Sequence, residues 1–297
     1  MNGHDKFLVA YPNLANNSIF RKEQELGIDN GLKVFLDSGA FTVFTQGQTV
    51  DVYDYGRWVS KYEDKFELYA NLDVIGYGKE SAEGTWRNQR ILEDEFGLSP
   101  LPVFHSGEDW SVLERYLEAG YDYIALGGLV GQGVSNLMPW LVQCFQMGEG
   151  AAVFHAFGMT SNEPLYALPW YSADSSSWNA GWRYGRFRVY DGSTGSVADW
   201  QIGEPMSAAF CRLARSYGVE PSELVYPGSS KHPSYRQWHE TVIKFMASVW
   251  HAREAWLREK WGPVFRQNSK SGLNMYLATS LYKEALMGGM SKESHHV

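Results

Sequence analysis

The chain has 297 residues, of which 44% are hydrophobic and 15% aromatic, and its formal net charge is −8. This composition suits one large domain or a barrel with an appendage, and no apolar run is long enough to span a bilayer. The polar start of the chain argues against a signal peptide, and two cysteines (Cys144 and Cys211) exclude a four-cysteine zinc site and indicate no disulfide framework. We therefore expect a cytoplasmic protein.

Short apolar runs recur along the chain, and most end at a polar residue or a glycine. They predict strands at residues 6–11, 32–36, 66–72, 101–104, 121–126, 151–154 and 170–172, with residues 186–190 as the eighth. Most of these runs are continuous rather than alternating, as is typical of parallel strands that are buried on both faces.

Helical patterns occupy several of the gaps and the C-terminal third. They predict helices at residues 109–119, 136–147, 206–217, 234–261 and 273–286. Eight strands with intervening helices predict an α/β fold, a (β/α)₈ TIM barrel, although an open doubly wound sheet is an alternative. We assign residues 1–200 to the barrel core and residues 201–297 to a helical part that completes or extends it.

Basic residues are concentrated in the helical part. The segment 231–270 carries a charge of +5, and the rest of the chain carries −13. The net charge alone argues against nucleic-acid binding, but a local basic surface can bind phosphates because salt screens distant charges. An ordinary solvated helix face explains the segment equally well.

The residues that end the predicted strands are candidates for one shared site. They are Asp37, Asp73, His105, the Gly127-Gly128 pair, His155 and Asp174. A single aspartate after a strand is usually a cap or a turn residue. In a barrel, however, the carboxyl ends of all the strands meet at the face that carries the active site.

Several carboxylates around one site suit either metal binding or glycosyl transfer. In glycosyl transfer, one carboxylate attacks the anomeric carbon and a second handles the proton of the leaving group. The two adjacent glycines would let the backbone approach a planar ligand closely, and the many aromatic residues could stack on a base.

Five segments, in order, resemble motifs of the tRNA-guanine transglycosylase superfamily. They are the aspartate motif at 37–41 (DSGAF), the base-recognition strand at 72–75 (LDVI), the glycine loop at 125–131 (ALGGLVG), the loop at 155–160 (HAFGMT) and the nucleophile segment at 171–175 (YSADS). The resemblance covers about residues 30–190. It implies a barrel enzyme that exchanges a nucleobase.

The chain also departs from the members of this family that act on tRNA. Their zinc site of three cysteines and one histidine cannot be built here, and His105 stands where they have a glutamine. The chain is short for that family. In these respects, and in the run 172–178 (SADSSSW), it looks like the phage-type branch that replaces guanine in DNA with a 7-deazaguanine. That resemblance implies DNA and a free 7-deazaguanine base as partners, and the host cytoplasm as the location if the protein is phage-encoded.

The resemblance implies roles for individual residues. Asp174 would be the nucleophile and Asp37 the proton shuttle. The residues that would bind the base are Asp73, His105, Gly127, Gly128, His155, Ser38 and Phe41, and those that would contact phosphates are Arg183, Arg186, Lys244 and Arg253. No metal and no organic cofactor are implied, because the incoming base is itself the nucleophile of the second step.

Three other readings of the sequence are open. The same chemistry could act on tRNA. A carboxylate-based glycoside hydrolase on a TIM barrel would also use paired acids, and the tryptophans would suit a sugar. The third alternative is a nucleic-acid-binding protein with a degenerate, non-catalytic barrel.

Overall fold

A computed structural model describes residues 4–76, 78–159, 161–267 and 272–289. Thr160, in the predicted loop 155–160, and residues 268–271, at the end of the segment 231–270, lie outside the described residues, as do residues 290–297. The fold is α/β, with one large parallel sheet surrounded by helices.

Ten strands are present in the described residues. They are β1 Lys6–Ala10, β2 Lys33–Asp37, β3 Phe66–Tyr69, β4 Val103–His105, β5 Tyr123–Gly127, β6 Val153–Ala156, β7 Ser172–Ser175, β8 Arg186–Tyr190, β9 Val197–Gln201 and β10 Asn274–Thr279. Eight form a parallel sheet in the order β3-β2-β1-β10-β7-β6-β5-β4, and β8 and β9 form a separate antiparallel pair.

Twelve helices connect and flank these strands in the described residues. They are α1 Tyr11–Ala15, α2 Ser18–Leu26, α3 Ala40–Thr45, α4 Val52–Tyr62, α5 Lys79–Asp94, α6 Trp110–Glu118, α7 Val134–Met147, α8 Asn162–Ala167, α9 Ala180–Tyr184, α10 Ala208–Ser216, α11 Tyr235–Gln267 and α12 Tyr282–Gly289. Short 3₁₀ turns lie at Glu63–Lys65, Ser177–Asn179 and Pro221–Leu224.

Side-chain caps explain where several of these helices begin. Asn17, Asp51 and Asp109 each accept hydrogen bonds from backbone amides in the first turn of α2, α4 and α6, and Ser207 does the same for α10. Each cap satisfies amides that have no partner within the helix. These caps therefore fix the residue at which each of the four helices begins.

The eight-stranded sheet is strongly curled. The rings of Phe35 on β2 and His155 on β6 are 4.9 Å apart, although four strand spacings separate them in the sheet. In a flat sheet that separation would be about 19 Å. The two ends of the strand order are also joined, since the amide of Asn71 donates to the carbonyl of Leu101 and the amide of Leu101 donates to the carbonyl of Tyr69.

The eighth strand of this sheet differs from the prediction. Residues 186–190 do form a strand, but it pairs only with β9. The eighth parallel strand is β10, which lies between β1 and β7 and falls in the segment that was predicted to be helix 273–286. The sheet thus takes strands from both sides of residue 200, while the division into two parts at that residue stays a prediction.

The long helix α11 begins near the predicted start but continues past the predicted end at residue 261. It includes the Gly262-Pro263 pair and reaches Gln267. A proline removes one backbone hydrogen bond of a helix without always ending it.

Candidate active site

Three carboxylates gather at the carboxyl edge of the parallel sheet. Asp37 ends β2, Asp73 follows β3, and Asp174 lies in β7. Burial, together with the negative charges of Asp73 and Asp174, raises the pKa of Asp37 to about 7. The structure therefore brings together the three aspartates that the sequence singled out.

Asp174 is held firmly at one of its two oxygens. The amide of Gly158 donates to Oδ1 over 2.8 Å, and His155 Nε2 lies 3.3 Å from the same atom. Gly158 has a φ of +64°, a conformation that favours glycine. Oδ2 accepts no hydrogen bond from the part of the chain that the structure describes.

A tight turn fixes the orientation of Asp37. The amide of Gly39 donates to Asp37 Oδ2 over 3.2 Å as the chain turns into α3. Gly39 has a φ of +72°, and a Cβ at this position would lie 2.6 Å from Pro12. Ser38 is buried in the same turn, where its hydroxyl accepts from the amide of Ala40.

His105 lies between two carboxylates. Its Nε2 is 3.1 Å from Asp73 Oδ2, and its Nδ1 is 3.4 Å from Glu108 Oε1. Burial alone would lower the pKa of His105, but Asp73 and Glu108 outweigh it and raise the pKa to about 10. His105 is therefore an imidazolium at neutral pH, and both of its ring nitrogens are already engaged by protein groups.

Asp73 forms this ion pair through Oδ2, and its other oxygen has no partner among the described residues. Its Oδ1 is buried and accepts no hydrogen bond within the described residues. A buried carboxylate oxygen without a donor is costly unless a ligand supplies one. Asp73 Oδ1 is therefore a natural acceptor for N–H groups of a bound molecule.

The two glycines after β5 have different surroundings. Gly127 packs against His105, because a Cβ there would lie 2.6 Å from the imidazole ring. Gly128 is exposed, has a φ of +70° and approaches the backbone of Ser106. The first glycine makes room for His105, and the carbonyl of the second accepts a hydrogen bond from Gln132 Nε2.

Phe41 lies in the first turn of α3, four residues after Asp37. Its side chain is exposed, as is that of Phe44 one helical turn later. The ring of Phe41 is thus accessible from solvent, and its role in stacking on a base stays a prediction.

His155 is fully buried, contrary to the expectation that it contacts a bound base. Its ring packs between Phe35 and Phe157, at 4.9 and 4.7 Å between ring centroids. The Nδ1 atom is 2.6 Å from the hydroxyl of Ser172, and Tyr123 Oη is 2.5 Å from the same hydroxyl. His155 therefore contacts Asp174 from the buried side of the site.

Two of the four predicted phosphate ligands lie together beside β7. Arg183 and Arg186 line a cavity of about 410 Å³ that begins directly after Ser175. The other lining residues are Ser176, Ser177, Asn179, Ala180 and Tyr184. Arginines, hydroxyl groups and an exposed tyrosine suit a phosphodiester and an adjoining base.

The other two predicted phosphate ligands, both on α11, are placed differently. Lys244 is half-buried, and Arg253 is only 1% exposed. The Arg253 guanidinium donates to Asn162 Oδ1 over 2.7 Å and lies over the rings of Tyr190 and Trp250. Because Arg253 is enclosed in this way, we correct its assignment from a phosphate ligand to a core residue.

Reasoning from the sequence missed Glu108, Ser172 and Tyr123. Glu108 lies three residues after His105, a spacing that could have suggested a pair. Ser172 lies two residues before Asp174 and thus on the same face of the strand. No local signal marks Tyr123, which meets Ser172 only through the fold.

Comparisons with known proteins identify no relative. No protein-family model matches the chain, and no curated protein matches it either.

Among the residues described, no helix is long and apolar enough to cross a membrane. In the same part of the chain, no three metal-ligating side chains are grouped as a metal site would require.

Proposed function

We propose that this protein is a glycosyltransferase that replaces guanine in DNA with a 7-deazaguanine, through a covalent bond between Asp174 and the sugar. The observation that carries the proposal is the meeting of Asp37, Asp73 and Asp174, with Asp174 anchored at Oδ1 alone. Such an arrangement suits attack by one carboxylate while another carries a proton.

We also propose that the curled sheet is a (β/α)₈ barrel. Eight parallel strands, helices between most of them, and backbone hydrogen bonds between the segments at β3 and β4 support this architecture. In that fold the catalytic groups come from the carboxyl ends of several strands, as they do here.

In the first step, Asp174 Oδ2 attacks C1′ of the target deoxyguanosine. The C1′–N9 bond breaks, its electron pair leaves with guanine, and protonated Asp37 supplies the proton that guanine needs. A pKa near 7 suits Asp37 to this task, because both of its protonation states are populated at neutral pH.

In the second step, Asp37 takes the proton from N9 of the incoming 7-deazaguanine. N9 then attacks C1′, the ester bond to Asp174 breaks, and its electron pair returns to the carboxylate. The backbone amide of Gly158 stabilises this returning charge because it already donates to Oδ1.

The base would be recognised by groups around Asp73. The Oδ1 of Asp73, which has no partner among the described residues, accepts from the amino and ring N–H donors of the purine. The ion pair with His105 fixes the orientation of the Asp73 carboxyl group. Phe41 stacks on the exposed face of the base.

The polymer would lie along the cavity after β7. Arg183 and Arg186 contact phosphates there, next to the strand that holds the nucleophile. The target nucleotide must be single-stranded or turned out of the helix, which costs a few kcal/mol that stacking and hydrogen bonds offset. The reaction takes place in the cytoplasm, where DNA and free bases meet.

The experiment is base exchange on defined polymers. The full-length protein is incubated with a guanine-containing DNA oligonucleotide and 7-deazaguanines, and the nucleosides are then analysed by mass spectrometry. We expect incorporation into DNA. We also expect Asp174→Asn to lower the rate at least about 10³-fold, because the nucleophile is lost while the shape is kept.

Two controls sharpen the result. Asp64→Asn removes an exposed carboxylate outside the site and should leave exchange unchanged. A parallel reaction with tRNA separates the two polymers, and exchange on tRNA alone would assign the protein to the tRNA enzymes. Full activity of Asp174→Asn would reject Asp174 as the nucleophile.

A further inference from the structure

Four side chains form a hydrogen-bonded chain that ends on Asp174. In the parallel pairing of β6 and β7, His155 lies opposite Ser172. Asp174 lies two residues beyond Ser172 and shares its face of the strand, and Tyr123 reaches Ser172 from β5. Three neighbouring strands thus contribute to one continuous chain of polar groups inside the sheet.

The donor and the acceptor of each hydrogen bond in this series can be identified by starting from Asp174. The Asp174 carboxylate can only accept, so His155 Nε2 must donate to it. Burial lowers the pKa of His155, so the ring is neutral and Nδ1 must accept. The Ser172 hydroxyl then donates to Nδ1, and its oxygen accepts from the Tyr123 hydroxyl.

The surroundings of His155 leave its ring little freedom to turn. Phe35 and Phe157 pack edge-on against it, and the ring of Tyr276 lies 6.3 Å away. The ring is fully buried, so water cannot replace the hydroxyl of Ser172 without a rearrangement. Only the tautomer with hydrogen on Nε2 satisfies both ring nitrogens in this setting.

We propose that Ser172 is a positioning residue, which donates to His155 Nδ1, holds the ring in the orientation that Asp174 requires and thereby keeps Asp174 Oδ2 facing the sugar carbon. This inference rests on the proposed function. His155 and the Gly158 amide both occupy Oδ1, so the oxygen that attacks is the one they leave free. If Ser172 lost its hydroxyl, the buried Nδ1 of His155 would have no donor, and the ring would no longer be held in its position against Asp174.

The tautomer can be measured without any substrate. In full-length protein with ¹⁵N-labelled histidine rings, long-range ¹H–¹⁵N spectra distinguish a neutral ring with hydrogen on Nε2 from the other tautomer and from imidazolium. His155→Gln identifies the signal by its disappearance. We expect the Nε2–H form in the unaltered protein and, in Ser172→Ala, a changed Nδ1 resonance because the hydrogen bond to Nδ1 is lost.

Exchange kinetics test the consequence. We expect Ser172→Ala to lower kcat about 10- to 100-fold and to change KM for the free base less than about threefold, because the nucleophile is misplaced while the base site is intact. Ser172→Thr restores a hydroxyl and should recover most of kcat. Ser175→Ala is the matched control, since Ser175 is equally buried on the same strand and its hydroxyl accepts from the Ser177 amide.

Three results would overturn the inference. They are an Nδ1–H tautomer or an imidazolium at His155 in the unaltered protein, an unchanged kcat in Ser172→Ala, and equal losses in Ser172→Ala and Ser175→Ala. The spectrum of the unaltered protein decides the first point even if a variant fails to fold. If the unaltered protein exchanges no base on DNA or tRNA, the proposed function fails, and the spectra still decide whether Ser172 donates to His155 Nδ1.

Discussion

The Asp37 carboxyl group combines burial with two neighbouring carboxylates, so its protonation affects stability as well as chemistry. Its pKa of about 7 lies above the ordinary aspartate value near 4. The folded state therefore binds this proton more tightly than the unfolded chain does. Stability is lost as the pH rises from about 4 to about 7, and no more is lost above that range.

We therefore predict that Asp37→Asn stabilises the protein in a pH-dependent way. Asparagine is neutral, so the variant should have a higher free energy of unfolding at pH 8, by on the order of 1–3 kcal/mol, and little advantage at pH 4. Denaturant titrations at both pH values measure this, with Asp64→Asn as the exposed control. The same difference at both pH values would contradict the raised pKa. Exchange activity should be lost in the variant even where its stability rises.

Among the single elements, β10 is the one whose assignment matters most for the fold, because it lies between β1 and β7 in the parallel sheet. Leu277 is fully buried and pairs with both neighbours, whereas Leu281, four residues later, is 54% exposed. In the helix predicted for residues 273–286, the two leucines would share one face. The strand assignment therefore predicts different effects for two otherwise matched substitutions.

We predict that Leu277→Ala lowers the free energy of unfolding by about 2–5 kcal/mol, and that Leu281→Ala lowers it by less than about 0.5 kcal/mol. The large effect arises from lost burial and a cavity at the centre of the sheet. Chemical denaturation of both variants measures it. Similar losses in the two variants would favour the helix.

The sequence predicts six of the eight parallel strands, because a short apolar run that ends in a polar residue is a strong local signal. Its run at residues 170–172 overlaps the polar seventh strand, Ser172–Ser175, by one residue. It fails at the eighth for a physical reason. Residues 274–279 are a short apolar run, for which periodicity alone does not separate a strand from a buried helix. Residues 186–190 alternate between exposed and buried, as is typical of an antiparallel strand with one solvent-exposed face.

The candidate site shows the same division between local and distant information. Asp37, Asp73 and Asp174 follow from their positions at strand ends. The contact of His105 with Glu108 lies within one loop, and Ser172 and Asp174 share one face of the same strand, so both spacings could have been read from the sequence. The approach of Tyr123 and His155 to Ser172 depends on how β5, β6 and β7 align, which no short motif records.

For the molecule as a whole, the net charge of −8 opposes binding to a polyanion, so any contact with DNA must be local. Arg183 and Arg186 are the basic residues closest along the chain to the proposed nucleophile, and both line the cavity after β7. The helix α11 contributes less than its +5 segment suggested, because Arg253 is buried. The expected DNA path therefore runs beside β7.

We predict that Arg186→Glu weakens binding of single-stranded DNA and lowers the dependence of log Kd on log salt concentration by about one, because one phosphate contact is lost. Fluorescence anisotropy between about 50 and 200 mM salt measures both effects. Arg87→Glu changes the net charge equally at an exposed position on α5, away from the cavity, and should leave the salt dependence nearly unchanged. Equal effects of the two variants would mean that overall charge, and not a phosphate contact at Arg186, governs binding. The pair of variants therefore separates a DNA path along β7 from general repulsion by an acidic protein.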